Sequence, residues 1–364
     1  MPFRHTLRTL FGSLLLTTAA HADAPRVAVD IMPVHALLAQ VMGDLGTPDL
    51  ILPPNASPHG FSMRPSQARM LENADLVILV GEELTPWMKK PLSALAEETE
   101  TLALLDQDAT LKLDSRDLVV FANDHDDHDD DHADHKDHDD HDKHEEHADH
   151  DDHDDHDKHE EDHADHEEHD DHEEHAEDDG HDDHHDHDHD GVDPHAWLDP
   201  ENAKIWLGLI AEQLGKLDAE NAATYRENAS NAQATITSLQ AELSATLAPV
   251  QTVPFLVYHD AFQYFDQRFD LDVHGAIAAS DADSPSPARL AELREEVREH
   301  DIACIFSEPQ YSSKLVTALQ DGASVREAAI DPLGSALTPG PNAYGDMMRA
   351  LATGIADCLS ATDS

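Results

Sequence analysis

Residues 219–247 read AENAATYRENASNAQATITSLQAELSATL and contain neither Gly nor Pro. Their bulkier or apolar positions, Tyr225, Ala229, Ala232, Ile236, Leu239, Leu243 and Leu247, recur every three or four residues and set one apolar stripe along a continuous helix. At ~1.5 Å per residue the stretch makes a rod of roughly 43 Å. Such a helix is either a rigid connector between two halves of the chain or an ordinary long helix packed on one of them. Working outward from it, short apolar runs alternate with helical patterns on both sides. Residues 27–30, 49–52, 76–80 and 102–105 read as strands, with helices over 33–41 and 65–73. Residues 200–217 form a helix, and 255–258, 302–307 and 328–330 read as buried strands with helices between them. Near-continuous apolar strands separated by helices predict an α/β fold with parallel sheets covered by helices.

Charge locates what does not belong to that fold. The formal net charge is −56, and residues 124–190 hold 22 His and 37 acidic residues against 3 Lys, a charge of −34 in one stretch. The remaining −22 is spread over the rest of the chain and is ordinary for a globular surface. An acidic chain of this kind repels nucleic acid and anionic membranes and attracts cations. The tract lacks bulky apolar residues, so nothing offsets the entropy of ordering it; it reads as a disordered insertion that leaves the flanking fold intact. Its histidines, among them His125, His128, His132, His135, His138 and His141, recur mostly every third residue, and His184, His185, His187 and His189 close it. Neutral imidazole suits zinc, copper and nickel, so the tract is expected to hold several weak, exchangeable ions.

The N-terminus carries Arg4 and Arg8, an apolar run over 10–20 too short to span a bilayer, and the small-x-small sequence Ala20-His21-Ala22. This predicts export with cleavage after residue 22. In an oxidising compartment Cys304 and Cys358, the two cysteines of the chain, read as a disulfide, with buried thiols as the alternative.

Outside the tract and the export segment, His35 and His300 read as structural or exposed, and His274 as following a strand. Three others stand where α/β proteins place ligands, near strand ends or in turns ahead of helices. These are His59 in Asn55-Ala-Ser-Pro-His59, His195 in Asp193-Pro-His-Ala-Trp-Leu-Asp-Pro200, and His259 after Phe255-Leu-Val-Tyr258. Glu308 and Asp331 each follow an expected strand. Spacing alone does not bring these residues together.

The stretches Asn55-Ala-Ser-Pro-His-Gly-Phe-Ser-Met-Arg-Pro-Ser66, Asn73-Ala-Asp-Leu-Val-Ile-Leu-Val-Gly81, Pro194-His-Ala-Trp-Leu-Asp-Pro200, Tyr258-His-Asp-Ala-Phe-Gln-Tyr-Phe265, Cys304-Ile-Phe-Ser-Glu-Pro-Gln310 and Asp331-Pro-Leu-Gly334 run in order across the chain. Together they resemble the periplasmic zinc-binding component of bacterial zinc ABC importers, the ZnuA type. The resemblance implies a cleaved segment over 1–22, an N-terminal lobe over 23–218 carrying the tract, a rigid linking helix over 219–248 and a C-terminal lobe over 249–364. It places Zn²⁺ in the interlobe cleft on His59, His195 and His259, with Asp331 or water as fourth ligand, Glu308 behind the ligands, and Cys304 paired with Cys358. Some relatives carry Glu before the first histidine; here Pro58 stands there. Implied partners are an inner-membrane permease with its cytoplasmic ATPase and a periplasmic zinc chaperone, for a monomer that is not an enzyme. Metal storage through the tract, and a zinc-dependent enzyme, are the competing readings.

Overall fold

The computed structural model describes residues 24–116, 191–278, 285–312, 314–320 and 325–361. The export segment over 1–22 and the tract over 124–190 lie outside the described residues. All described residues belong to one compact unit. Among them no helix is long and apolar enough to cross a membrane.

The first half runs β1 (Val27–Val29), α1 (Met32–Met42), β2 (Asp49–Leu50), α2 (Pro65–Asn73), β3 (Leu76–Leu79), α3 (Lys89–Leu95) and β4 (Glu100–Ala103). Two helices follow, α4 (Pro200–Leu217) and α5 (Ala222–Leu247). The second half runs β5 (Phe255–His259), α6 (Gln263–Phe269), β6 (Val273–Ala278), α7 (Pro287–Glu299), β7 (Cys304–Ser307), α8 (Lys314–Gln320), β8 (Arg326–Ala329) and α9 (Ala343–Ser360). The strands form two parallel four-stranded sheets, ordered β2-β1-β3-β4 and β6-β5-β7-β8.

Side chains alternate across each sheet and so divide the core. On one face of the first sheet, Val27, Val29, Leu76 and Ile78 join a cluster with α1, α4, α5 and α9; Phe255, Val257, Cys304 and Phe306 of the second sheet join the same cluster. The opposite faces have their own cores. Ala28, Val77 and Leu79 pack with Leu71 and Met88, while Leu256 and Ile305 pack with Leu293, Val297, Val316 and Leu319 from α7 and α8. The inner faces of the two lobes therefore share one continuous apolar core, which opposes wide hinge opening.

The long helix lies in that core. Its buried residues are Tyr225, Ala229, Ala232, Ile236, Leu239, Leu243 and Leu247, the whole of the stripe in the sequence. It packs on α1, α4 and α9, so it is neither a bare rod nor confined to one lobe. It begins at Ala222 because Asp218 accepts bonds from the Asn221 side-chain Nδ2 (2.7 Å) and the Tyr225 hydroxyl (2.9 Å), which fold residues 218–221 into a turn. The edge strands β4 and β8 start two residues earlier than the apolar runs suggest. At a sheet edge the pairing is set by register, and Glu100 and Arg326 can pair with their side chains partly in water. His274 lies within β6 rather than after a strand.

The residues flanking the tract pair with each other. Asp114 and Val192 form an antiparallel bridge, and the Ser115 amide donates to the Gly191 carbonyl at 2.7 Å. Cys304 and Cys358 are joined by a disulfide that ties β7 to α9.

Asp30 follows directly on β1; it is fully buried and accepts hydrogen bonds from the Ile31 (2.7 Å) and Val80 (2.8 Å) amides. Burial raises its pKa from an ordinary 3.8 to about 7, against the opposing pull of those two amides. The folded protein therefore keeps a proton that the unfolded chain releases. Stability from this group is complete below the unfolded value, falls as pH rises towards 7 and is flat above, a change on the order of 4 kcal/mol. In urea unfolding with EDTA from pH 4.5 to 8, the stability of wild type relative to Asp30→Asn should fall by that amount as pH rises, because Asp266, also raised to about 7, and the histidines of lowered pKa contribute alike to both proteins. Parallel pH profiles for the two proteins would refute it.

Candidate metal centre

His59, His195 and His259 come from three separate parts of the chain. His259 is the last residue of β5, at the carboxyl end of a parallel sheet. His195 precedes a short 3₁₀ turn (Ala196–Leu198) that feeds α4, whose first turn is capped by Asp199 accepting from the Glu201 amide at 2.8 Å. His59 sits in the long connection from β2 to α2, where Trp87 Nε1 donates to the Pro58 carbonyl at 2.6 Å and Phe61 packs edge-on against Trp87. Pro58 thus presents its carbonyl as an anchor for the loop.

The three rings converge. Their centroids are 5.2, 5.4 and 6.1 Å apart, and one ligating nitrogen from each lies within 4.8 Å of the others. The Nε2 atoms of His59 and His195 are 3.3 Å apart. Two nitrogens on a tetrahedral zinc with Zn–N of ~2.0–2.1 Å stand ~3.3–3.4 Å apart, so this spacing is that of two ligands on one ion. His195 and His259 are only 5% and 6% exposed. With Pro58, Trp197, Gln310, Tyr311 and Leu333 they line a cavity of about 10 Å³, room for one ion or water.

Two carboxylates orient the rings. Asp193 Oδ1 lies 2.7 Å from His195 Nδ1, and Glu308 Oε1 lies 2.7 Å from His259 Nδ1. A carboxylate accepting from Nδ1–H fixes the tautomer that points an Nε2 lone pair at the cavity and raises the ring's basicity as a ligand. Asp193 also accepts from the His195 amide at 2.9 Å. Burial, and then the neighbouring His195 and His259, hold the His59 pKa well below the usual histidine value, so its ring is in the neutral, ligating form at neutral pH.

Asp331 does not join the three histidines. Its carboxylate accepts from Gln310 Nε2 (3.0 Å), the Leu333 amide (3.1 Å), the Ser335 amide (2.6 Å) and the Ser335 hydroxyl (2.7 Å), and so shapes the loop after β8. His35 is buried in α1 with Nε2 at 3.2 Å from the Pro48 carbonyl, and His300 caps the end of α7. Burial, followed by His300, lowers the pKa of His274. The expected ligands His125, His128, His132, His135, His138, His141, His184, His185, His187 and His189 lie outside the described residues.

Sequence reasoning passed over the groups that hold the site shut. Arg268 makes two bonds to Asp199 (2.7 and 2.6 Å), and Arg116 makes two to Asp260, the residue after His259 (2.9 Å each). Trp197 Nε1 donates to the Pro332 carbonyl (2.8 Å), and Tyr264 OH donates to the Asp193 carbonyl (3.0 Å). Asp193, two residues before His195, was the one with a visible signal, but Asp-x-His is too common to weigh.

Two parallel-sheet lobes around a buried cluster of imidazoles define the metal-binding class of solute-binding proteins. The profile of the family described as "ZnuA: Zinc-uptake complex component A periplasmic" matches residues 27–358. The chain is 43% identical over 343 residues to the "High-affinity zinc uptake system protein ZnuA" of Paracoccus denitrificans, covering 94% of each chain. It is 39% identical over 335 residues to the protein of that name from Brucella suis, covering 92% of this chain and 91% of the relative. This protein belongs to the ZnuA family. Its fold matches a crystal structure of ZnuA at TM-score 0.65 and 21% identity, covering 93% of this chain and all of that one. A ZnuA deletion mutant with zinc bound matches at TM-score 0.65 and 22% identity, covering 94% and 100% of the two chains.

Proposed function

We propose that this protein captures Zn²⁺ in the periplasm and delivers it to the inner-membrane permease of an ABC-type importer driven by a cytoplasmic ATPase. The observation that carries the reading is the convergence of His59, His195 and His259 within 4.8 Å, two of them backed by buried carboxylates. Three nitrogen donors favour zinc over the oxygen-preferring manganese. The fourth position goes to water; Asp331 reaches the ion only by giving up bonds that shape its own loop. A cavity of about 10 Å³ has no room for an organic substrate beside the metal, so the site is built to carry an ion rather than to catalyse.

The division proposed for the chain is an N-terminal lobe over 23–218, a linking helix over 219–248 and a C-terminal lobe over 249–364, after removal of 1–22 on export. The shared core and the Arg116 and Arg268 ion pairs favour small loop movements on loading and release, in a monomer that docks on the permease. The tract over 124–190 gathers zinc weakly and passes it on, alone or with a periplasmic chaperone. Its last histidine, His189, is six residues before His195 in the sequence.

Calorimetry separates capture from storage. Zinc titration should give one tight site and several weak ones in the full chain, and the tight site alone after deletion of residues 124–190. Loss of the tight site with the tract would favour storage through the tract instead. Unchanged loading rate and unchanged zinc-limited growth after the deletion would remove the gathering role while leaving capture standing.

A further inference from the structure

A second constellation lies at the other end of the C-terminal sheet. In the β5–β6 pairing Phe255 faces Val273 and Leu256 faces Gly275, so His274 is the extra residue of a bulge. Bulges re-aim side chains and recur beside functional sites. Here the bulged histidine meets the last turn of α7. The His274 and His300 ring centroids are 4.5 Å apart, with planes inclined by 41°. Glu296, one helical turn before His300, has Oε2 at 2.9 Å from His300 Nε2. One ligand atom from each of the three residues lies within 4.8 Å of the others.

We infer that His274, Glu296 and His300 form a second metal site, taking a divalent transition ion of the zinc class. The donor set is two imidazoles and a carboxylate, a combination that binds zinc with further positions open to solvent; the nitrogen donors disfavour magnesium and calcium. The elements that carry it are fixed. Leu293 and Val297 of α7 are buried in the outer core of the C-terminal lobe, which holds Glu296 and His300 over the edge strand β6. The site is separate from the cleft. His259 pairs with Ala278 at the far end of β6, four residues along the strand from His274, or roughly 13 Å. It is also more open, with the His300 side chain 41% exposed and Glu296 19%. That exposure to water makes it a weaker and faster-exchanging site than the buried cleft.

The test reads single histidines in the full chain, where the tract would mask a bulk titration. Exchange of imidazole C2 protons is followed peptide by peptide by mass spectrometry across a zinc series started in EDTA at pH 7.5. Exchange at His274 and His300 should slow at least fivefold at zinc levels above those that protect His59. Glu296→Gln, which keeps the size and hydrogen-bonding capacity of the side chain, should move that transition at least tenfold higher in zinc and leave the cleft histidines unchanged. His300→Ala should abolish the protection of His274. Exchange at His274 and His300 that stays constant while His59 is protected would overturn the site. So would protection of His274 that neither substitution alters.

Discussion

His195→Ala should weaken zinc binding at the cleft roughly a hundredfold to a thousandfold. A four-ligand zinc site is worth about 10–16 kcal/mol, or roughly 3 kcal/mol per ligand, and this substitution removes one of three nitrogens. It also leaves Asp193, itself buried, without the ring that its carboxylate orients. Competition against a chelator tight enough to strip the tract isolates the cleft. Circular dichroism on the same sample shows that the lobes stay folded. Glu308→Gln provides the scale: the amide oxygen can still accept from His259 Nδ1, but the charge is gone, and such losses behind a ligand cost about 10- to 100-fold. Affinity of His195→Ala within tenfold of wild type would mean that the ion is held elsewhere. Equal effects of the two variants would mean that Glu308 reaches the ion directly.

The largest effect on stability should come from the disulfide. Cys304 and Cys358 are 54 residues apart in sequence, and closing a loop of that length in the unfolded chain is worth about 4 kcal/mol. The bond pins α9, whose buried face of Met347, Met348, Leu351 and Ile355 completes the core shared by both sheets. The double variant Cys304→Ala, Cys358→Ala should lose about that much unfolding free energy in urea with EDTA present, and roughly 10 °C in melting temperature. Zinc affinity should stay within about threefold. Cys304 opens β7 and Glu308 follows its last residue, so the bond lies roughly 13 Å along the strand from the ligand shell. An unchanged urea midpoint would show that the core alone holds α9. A large loss of zinc affinity would show that the lobes move apart once the bond is gone.

The elements legible in the sequence are those whose packing is local and one-sided or fully buried. The stripe from Tyr225 to Leu247 has the period of a helix with one dry face, and the short apolar run at Leu76–Leu79 reads as a strand covered on both sides. α4 runs over 200–217 as read, because Pro200 and the Asp199 cap fix where it starts. β6 and α9 were not legible. His274 and Gly275 break the apolar run of β6, and α9 contains Gly345 and Gly354. At Gly354 α9 passes Ile330, where an added Cβ would make an ordinary contact with Ile330 Cγ2 at 3.4 Å. No local pattern reports that approach.

The site divides in the same way. Residue chemistry and position along the chain singled out His59, His195 and His259, because an imidazole after a strand or ahead of a helix is visible in one dimension. Their meeting was not, since they lie 136 and 64 residues apart in sequence. Only the two sheets, whose inner faces are held together by one shared core, set the Nε2 atoms of His59 and His195 3.3 Å apart and bring Asp193 and Glu308 behind the rings. The sequence by itself determined the periodic elements and the kinds of donor atom. The distances and orientations that turn those donors into a site were decided by long-range packing, which no sequence interval encodes.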